Sequence, residues 1–86
     1  MDNNYVNTKG LSADVWKYLL NSYLYYIKYE DTFMTDEAYD ILCNRLYKDF
    51  DNLPDNEQDM LSRDSLSAGT GYDIPLSVYR LAGITE

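Results

Sequence analysis

Two stretches of the chain carry apolar residues at helical spacing. In the first, Trp16, Leu19, Leu20, Tyr23 and Ile27 fall on one broad face at about 100° per residue, with Val15 and Tyr26 at its margin. Lys17, Asn21 and Lys28 gather on another side, as solvated residues should. The pattern predicts a helix of about 17 residues from Ala13 to near Tyr29. Ser12 is placed to cap it, and Asp14 suits the positive end of its dipole. Between the two faces runs a third stripe, Tyr18, Ser22, Tyr25 and Tyr29. Its rings either shield the core while their hydroxyls reach water, or form a stacking surface for a flat ligand or partner.

In the second stretch Tyr39, Leu42, Cys43, Leu46 and Phe50 share an apolar face, leaving Glu37, Ile41, Asn44, Arg45 and Lys48 outward. Thr35 is the expected cap, with Asp36 and Glu37 in the first turn. Glu30 to Met34 makes a turn short enough for the two helices to lie antiparallel. Asp36 and Asp40 sit one helical turn apart, flanking the apolar face. Such a like-charge pair costs a few tenths of a kcal/mol, so it is either tolerated for its solvation or retained for a ligand.

The remainder is less periodic. Residues 1–10 are polar and read as a mobile arm in which Tyr5 and Val6 have local docking as an option. Residues 49–64 form an acidic tract holding six carboxylates and Arg63, where Pro54 ends the second helix. A short third helix is expected within it, from Asp55 to Ser62, with Met60 and Leu61 inward. Ser67 to Asp73 reads as a turn whose Gly69 and Gly71 weakly suggest a phosphate cradle, although no lysine follows. Pro75 then opens a short helix or extended segment that returns Leu76, Tyr79 and Leu81 to the core. The predicted fold is all-α: a small single domain, residues 11–86, built on an antiparallel helical hairpin (12–50) with a short third helix and an irregular C-terminal segment (67–86).

Composition narrows the function. A chain of 86 residues supports one small core but not the two-lobed cleft of most group-transfer enzymes. Fifteen Asp and Glu against seven Lys and Arg give a net charge of −8, which disfavours direct nucleic-acid binding. The single cysteine, Cys43, has no partner for a disulfide or a zinc site and fits a reducing compartment. The sequence shows neither a membrane span nor a secretory signal, so a cytoplasmic location is expected. Ten tyrosines are unusual for this length and concentrate attention on the hairpin.

The pair Tyr25-Tyr26, followed about ten residues later by Asp36-Glu37-Ala38-Tyr39-Asp40 and then Leu42 and Leu46, resembles the N-terminal helical subdomain Ia of bacterial NAD-dependent DNA ligases. It is also similar to short, stand-alone phage proteins related to these ligases, in which the Ala68 to Tyr72 run AGTGY belongs to the pattern. The resemblance covers Leu19 to Phe50, roughly a third of the chain. It implies that Tyr25, Tyr26, Asp36, Tyr39 and Asp40 face the nicotinamide mononucleotide (NMN) half of NAD. Tyrosine rings suit a cationic nicotinamide, and carboxylates accept hydrogen bonds from ribose hydroxyls. The chain departs from the ligase pattern at Tyr26, where one variant has His, in a loop one residue longer, and in the order Glu37-Ala38. The lysine nucleophile motif KxDG and the later ligase domains are missing from it.

The expectation is therefore a non-catalytic binding module, with no tightly bound cofactor, that holds NAD or NMN weakly, docks on a nucleotidyltransferase protein, or does both. The alternative is an acidic phage protein that inhibits or docks on a host protein by imitating nucleic-acid charge. An NAD-consuming enzyme is a distant third, since the carboxylates are not evidently paired in a pocket.

Overall fold

The Thr35 hydroxyl accepts a hydrogen bond from the Ala38 amide at 3.1 Å and so starts helix α2, Asp36–Lys48, where its spacing predicts. In the computed structural model, which describes residues 5–85, α2 buries Tyr39, Leu42, Cys43 and Leu46 and leaves Ile41, Asn44, Arg45 and Lys48 exposed. Phe50 belongs to a single 3₁₀ turn, Phe50–Asn52, and is only half-buried.

Helix α1, Ala13–Ser22, lies against α2. The Asp14 carboxylate near its start meets Arg45 near the end of α2 at 2.9 Å, while Ser22 at its end meets Tyr39 near the start of α2 at 2.7 Å. Those two contacts fix the pair as antiparallel. Ser12 occupies the N-cap position, but its side chain makes no capping bond. Its backbone N–H donates instead to Glu57 Oε2 at 2.9 Å.

Two features of α1 depart from its apolar pattern. The first is its buried face: Val15, Tyr18, Leu19 and Ser22 are within 1% of complete burial and Asn21 is 5% exposed, whereas Ile27 is 38% exposed and Trp16 half-buried. Tyr18 therefore does not reach water, and Asn21 is not on a solvated side. A helix covered by several neighbours has no single outward face, so polar residues at its contacts go inside with their hydrogen bonds made locally. Ser22 Oγ, for instance, donates to the Tyr18 carbonyl at 2.7 Å.

The second departure is that the helix does not run on as α to Tyr29. Residues Tyr23–Ile27 form a π-turn, closed by the Lys28 N–H on the Tyr23 carbonyl at 3.1 Å. Each π-turn takes one more residue than an α-turn, so positions after Ser22 rotate away from the register their spacing implies. The segment stops where Tyr29 takes a left-handed conformation (φ 55°), with the Glu30 N–H returning to the Leu24 carbonyl at 2.9 Å.

Three short helices complete the fold: α3, Asp55–Met60; α4, Arg63–Ala68; and α5, Leu76–Leu81. The third helix was expected; α4 and α5 stand where the sequence reads as an acidic tract, a turn and an irregular segment. Helix α4 is capped by the Ser62 hydroxyl and ends on Gly69 (φ 71°), with the Thr70 N–H bonded to the Ser65 carbonyl. Of the apolar residues expected to return at the C-terminus, Tyr79 is fully buried, but Leu76 and Leu81 are 46% and 64% exposed. Ile74, Val78, Ala82 and Ile84 fill the core in their place. The domain is all-α among the described residues, and no helix there is long and apolar enough to cross a membrane.

Of the arm read over residues 1–10, positions 1–4 lie outside the described residues. Tyr5 packs its ring on Tyr23, centroids 6.3 Å apart. Asn7 exchanges two hydrogen bonds with the backbone of Leu11.

Candidate functional site

The π-turn and the start of α2 meet at the bend of the hairpin, and their side chains enclose a concavity of about 210 Å³. Tyr25 and Tyr26 wall it from the π-turn; Asp36, Tyr39 and Asp40 wall it from the first two turns of α2. All five residues named from the ligase resemblance thus line one cavity. Sequence reasoning missed Asn21, Thr32, Met34 and Gly69, which line it too.

Each wall has a local cause. The rings of Tyr25 and Tyr26 meet edge to face, centroids 4.8 Å apart at 87°, so the two faces point in different directions. The Tyr26 hydroxyl pairs with Thr70 Oγ1 at 3.0 Å, while Tyr25 is 57% exposed. Tyr39 is held from behind: its ring stacks on Tyr18 at 5.7 Å and its hydroxyl pairs with Ser22 Oγ at 2.7 Å. Burial drives the Tyr39 phenol far above its ordinary pKa, the Ser22 bond opposing this in part, so it is a neutral wall.

The loop after α4 closes the cavity. A methyl group on Gly69 would come within 2.9 Å of Asp40 Oδ1, and one on Gly71 within 2.4 Å of Ser22 Oγ and 2.8 Å of the Tyr39 hydroxyl. These glycines are required for close approach of the loop to the hairpin. The amides of Gly69, Thr70 and Tyr72 are bonded to Leu66, Ser65 and the Thr70 hydroxyl, which argues against a phosphate cradle. Thr70 pins the loop, since its carbonyl accepts from the Tyr18 hydroxyl at 2.8 Å.

The cavity therefore offers two exposed carboxylates one helical turn apart, aromatic rings at differing angles, and no basic side chain in its lining. Such a lining attracts a planar cation that carries hydrogen-bond donors. A second, more open concavity lies on the other side of Tyr25 and Tyr26, bordered by Tyr29, Glu30 and Asp31. Among the described residues no group of three His, Cys, Asp or Glu side chains is arranged to hold a metal ion.

The acidic tract is less uniform than its composition suggests. Asp49, Asp51, Asp55, Asp59 and Asp64 are exposed, and Asp51 pairs with Arg63, which also lies 4.4 Å over the Phe50 ring. Glu57, read as part of a solvated acidic face, is instead buried and serves the start of α1. Compared with known proteins, the chain matches no family model, no curated protein and no solved structure, so the likeness to the ligase subdomain rests on the hairpin's residues and their spacing.

Proposed function

We propose that this chain is a non-catalytic cytoplasmic binding module whose cavity at the hairpin bend grips the NMN half of a nicotinamide nucleotide, with a nucleotidyltransferase protein as partner. The observation that carries the reading is the convergence of Tyr25, Tyr26, Asp36, Tyr39 and Asp40 on one concavity. The nicotinamide ring is cationic and packs against tyrosine faces, and the ribose hydroxyls donate to Asp36 and Asp40. A cavity of about 210 Å³ is small for a whole dinucleotide, which fits a site completed by a second protein.

Affinity of the isolated chain is accordingly weak, with a Kd no tighter than about 1 mM for NMN. Titration of labelled protein with NMN, followed by NMR, is expected to shift the amides of residues 21–26 and 36–40. The double substitution Asp36→Asn, Asp40→Asn is expected to abolish those shifts while leaving the helical signal intact. Unchanged shifts in the double variant would remove the nucleotide reading.

The exposed aspartates of the acidic tract favour a second reading, an acidic protein that docks on a basic host protein by charge. Neutralising Asp51, Asp55 and Asp59 tests it, with Glu57 left intact because it is buried. Loss of host-protein capture in that variant, with NMN shifts preserved, would favour this reading over the first.

A further inference from the structure

Asn21 sits on the last turn of α1, is 5% exposed, and lines the cavity at the hairpin bend. Its Oδ1 is buried without a hydrogen-bond partner. The neighbouring polar groups are committed elsewhere: Ser22 Oγ to the Tyr18 carbonyl and the Tyr39 hydroxyl, and the Tyr26 hydroxyl to Thr70. An unsatisfied buried carbonyl is costly in a helix that would accept leucine at the same position.

We infer that Asn21 is the specificity-determining residue of this cavity and selects ligands that carry a carboxamide on the aromatic cation. The inference rests on the nucleotide reading given above and sharpens it. A carboxamide both donates and accepts. Its N–H satisfies Asn21 Oδ1 while its carbonyl takes a proton from the Asn21 amide, a pairing that a carboxylate cannot complete. A ligand carboxylate would also face Asp36 and Asp40 across the same cavity, so charge and hydrogen bonding act in one direction.

Wild-type protein and the variants Asn21→Leu and Asn21→Ala are titrated with NMN and with nicotinic acid mononucleotide, which differs by a carboxylate in place of the amide. The wild type is expected to prefer NMN. In both variants NMN binding weakens by about tenfold, the loss expected for one hydrogen bond to a buried group, while binding of the acid is unchanged. Without ligand, Asn21→Leu is expected to melt roughly 4 to 8 °C higher than wild type, because the unsatisfied carbonyl is gone. A residue kept for structure alone would lower the melting temperature. Equal weakening of both nucleotides, or of neither, overturns the role of Asn21 and leaves the site standing. No binding of either nucleotide by the wild type overturns the site, and this assignment with it. Asn21→Ala supplies the comparison if the leucine proves too large for the turn.

Discussion

Single side chains in this domain carry more unsatisfied polarity than the core needs. The Tyr79 ring is fully buried and meets Tyr23 edge to face at 5.1 Å, yet its hydroxyl has no hydrogen-bond partner. Tyr79→Phe keeps the ring and removes the stranded group, so stability should rise by about 1 kcal/mol in denaturant unfolding. Tyr39→Phe deletes the partner of Ser22 Oγ at the same size and should lower stability by about 1 kcal/mol. If the two substitutions act alike, burial rather than pairing sets their effect. Tyr29 is a different case: 86% exposed, left-handed, and next to the second concavity. A non-glycine residue there is strained by about 1 to 2 kcal/mol. Tyr29→Gly should gain roughly 0.5 to 1 kcal/mol in thermal unfolding, part of the relief being lost to the greater freedom of unfolded glycine. A drop in stability would mean that the exposed ring makes contacts that outweigh the strain.

At the scale of elements, what was legible in the sequence depends on how each helix is covered. α2 has one buried side, and its period gave Tyr39, Leu42, Cys43 and Leu46 correctly. α1 is covered on several sides, so the solvated position assigned to Asn21 and the stripe through Tyr18 and Ser22 both turned out to be interior. The π-turn left no periodic signature, because its extra residue is visible only in the hydrogen bonds. Helices α4 and α5 are six residues each, under two turns, too short to show a period and sustained by caps and packing. In the cavity, the ligase resemblance supplied the five named residues, while Asn21 and Gly69 depend on contacts between distant segments. Glu57 shows the same limit: composition placed it among solvated acids, but α3 carries it beneath the start of α1. Glu57→Ala should therefore cost about 1 to 3 kcal/mol by stranding the Ser12 N–H, whereas Ser12→Ala, which removes no side-chain cap, should change stability by less than about 0.5 kcal/mol. Chemical denaturation of the two variants side by side checks the assignment, and a larger loss for Ser12→Ala would contradict it.

For the molecule as a whole, the buried phenols set an upper pH limit. Tyr18, Tyr39 and Tyr79 all have pKa values pushed well above the ordinary value of 10.0, desolvation being the largest cause in each. The Cys43 thiol is pushed up to about 11 from 9.0 by the same cause. In the unfolded chain these groups ionise at their ordinary values, and in the folded chain they keep their protons. Between the two values the native state binds more protons than the unfolded state, so stability falls as pH rises. Below pH 9 none of the four contributes a slope; Cys43 begins the decline and the tyrosines dominate it above pH 10. Three phenols together remove about 4 kcal/mol per pH unit, which exhausts the 5 to 15 kcal/mol of a typical domain within about one to four units. Helix content followed by circular dichroism should therefore collapse cooperatively above pH 10, together with a late rise in tyrosinate absorbance from the buried rings. Exposed rings such as Tyr25, Tyr29 and Tyr72 ionise before that step. Tyr79→Phe removes one of the three linked protons and should move the transition upward. Titration of all ten tyrosines in a single phase, with the helices still intact, would show that the phenols are not held in the core.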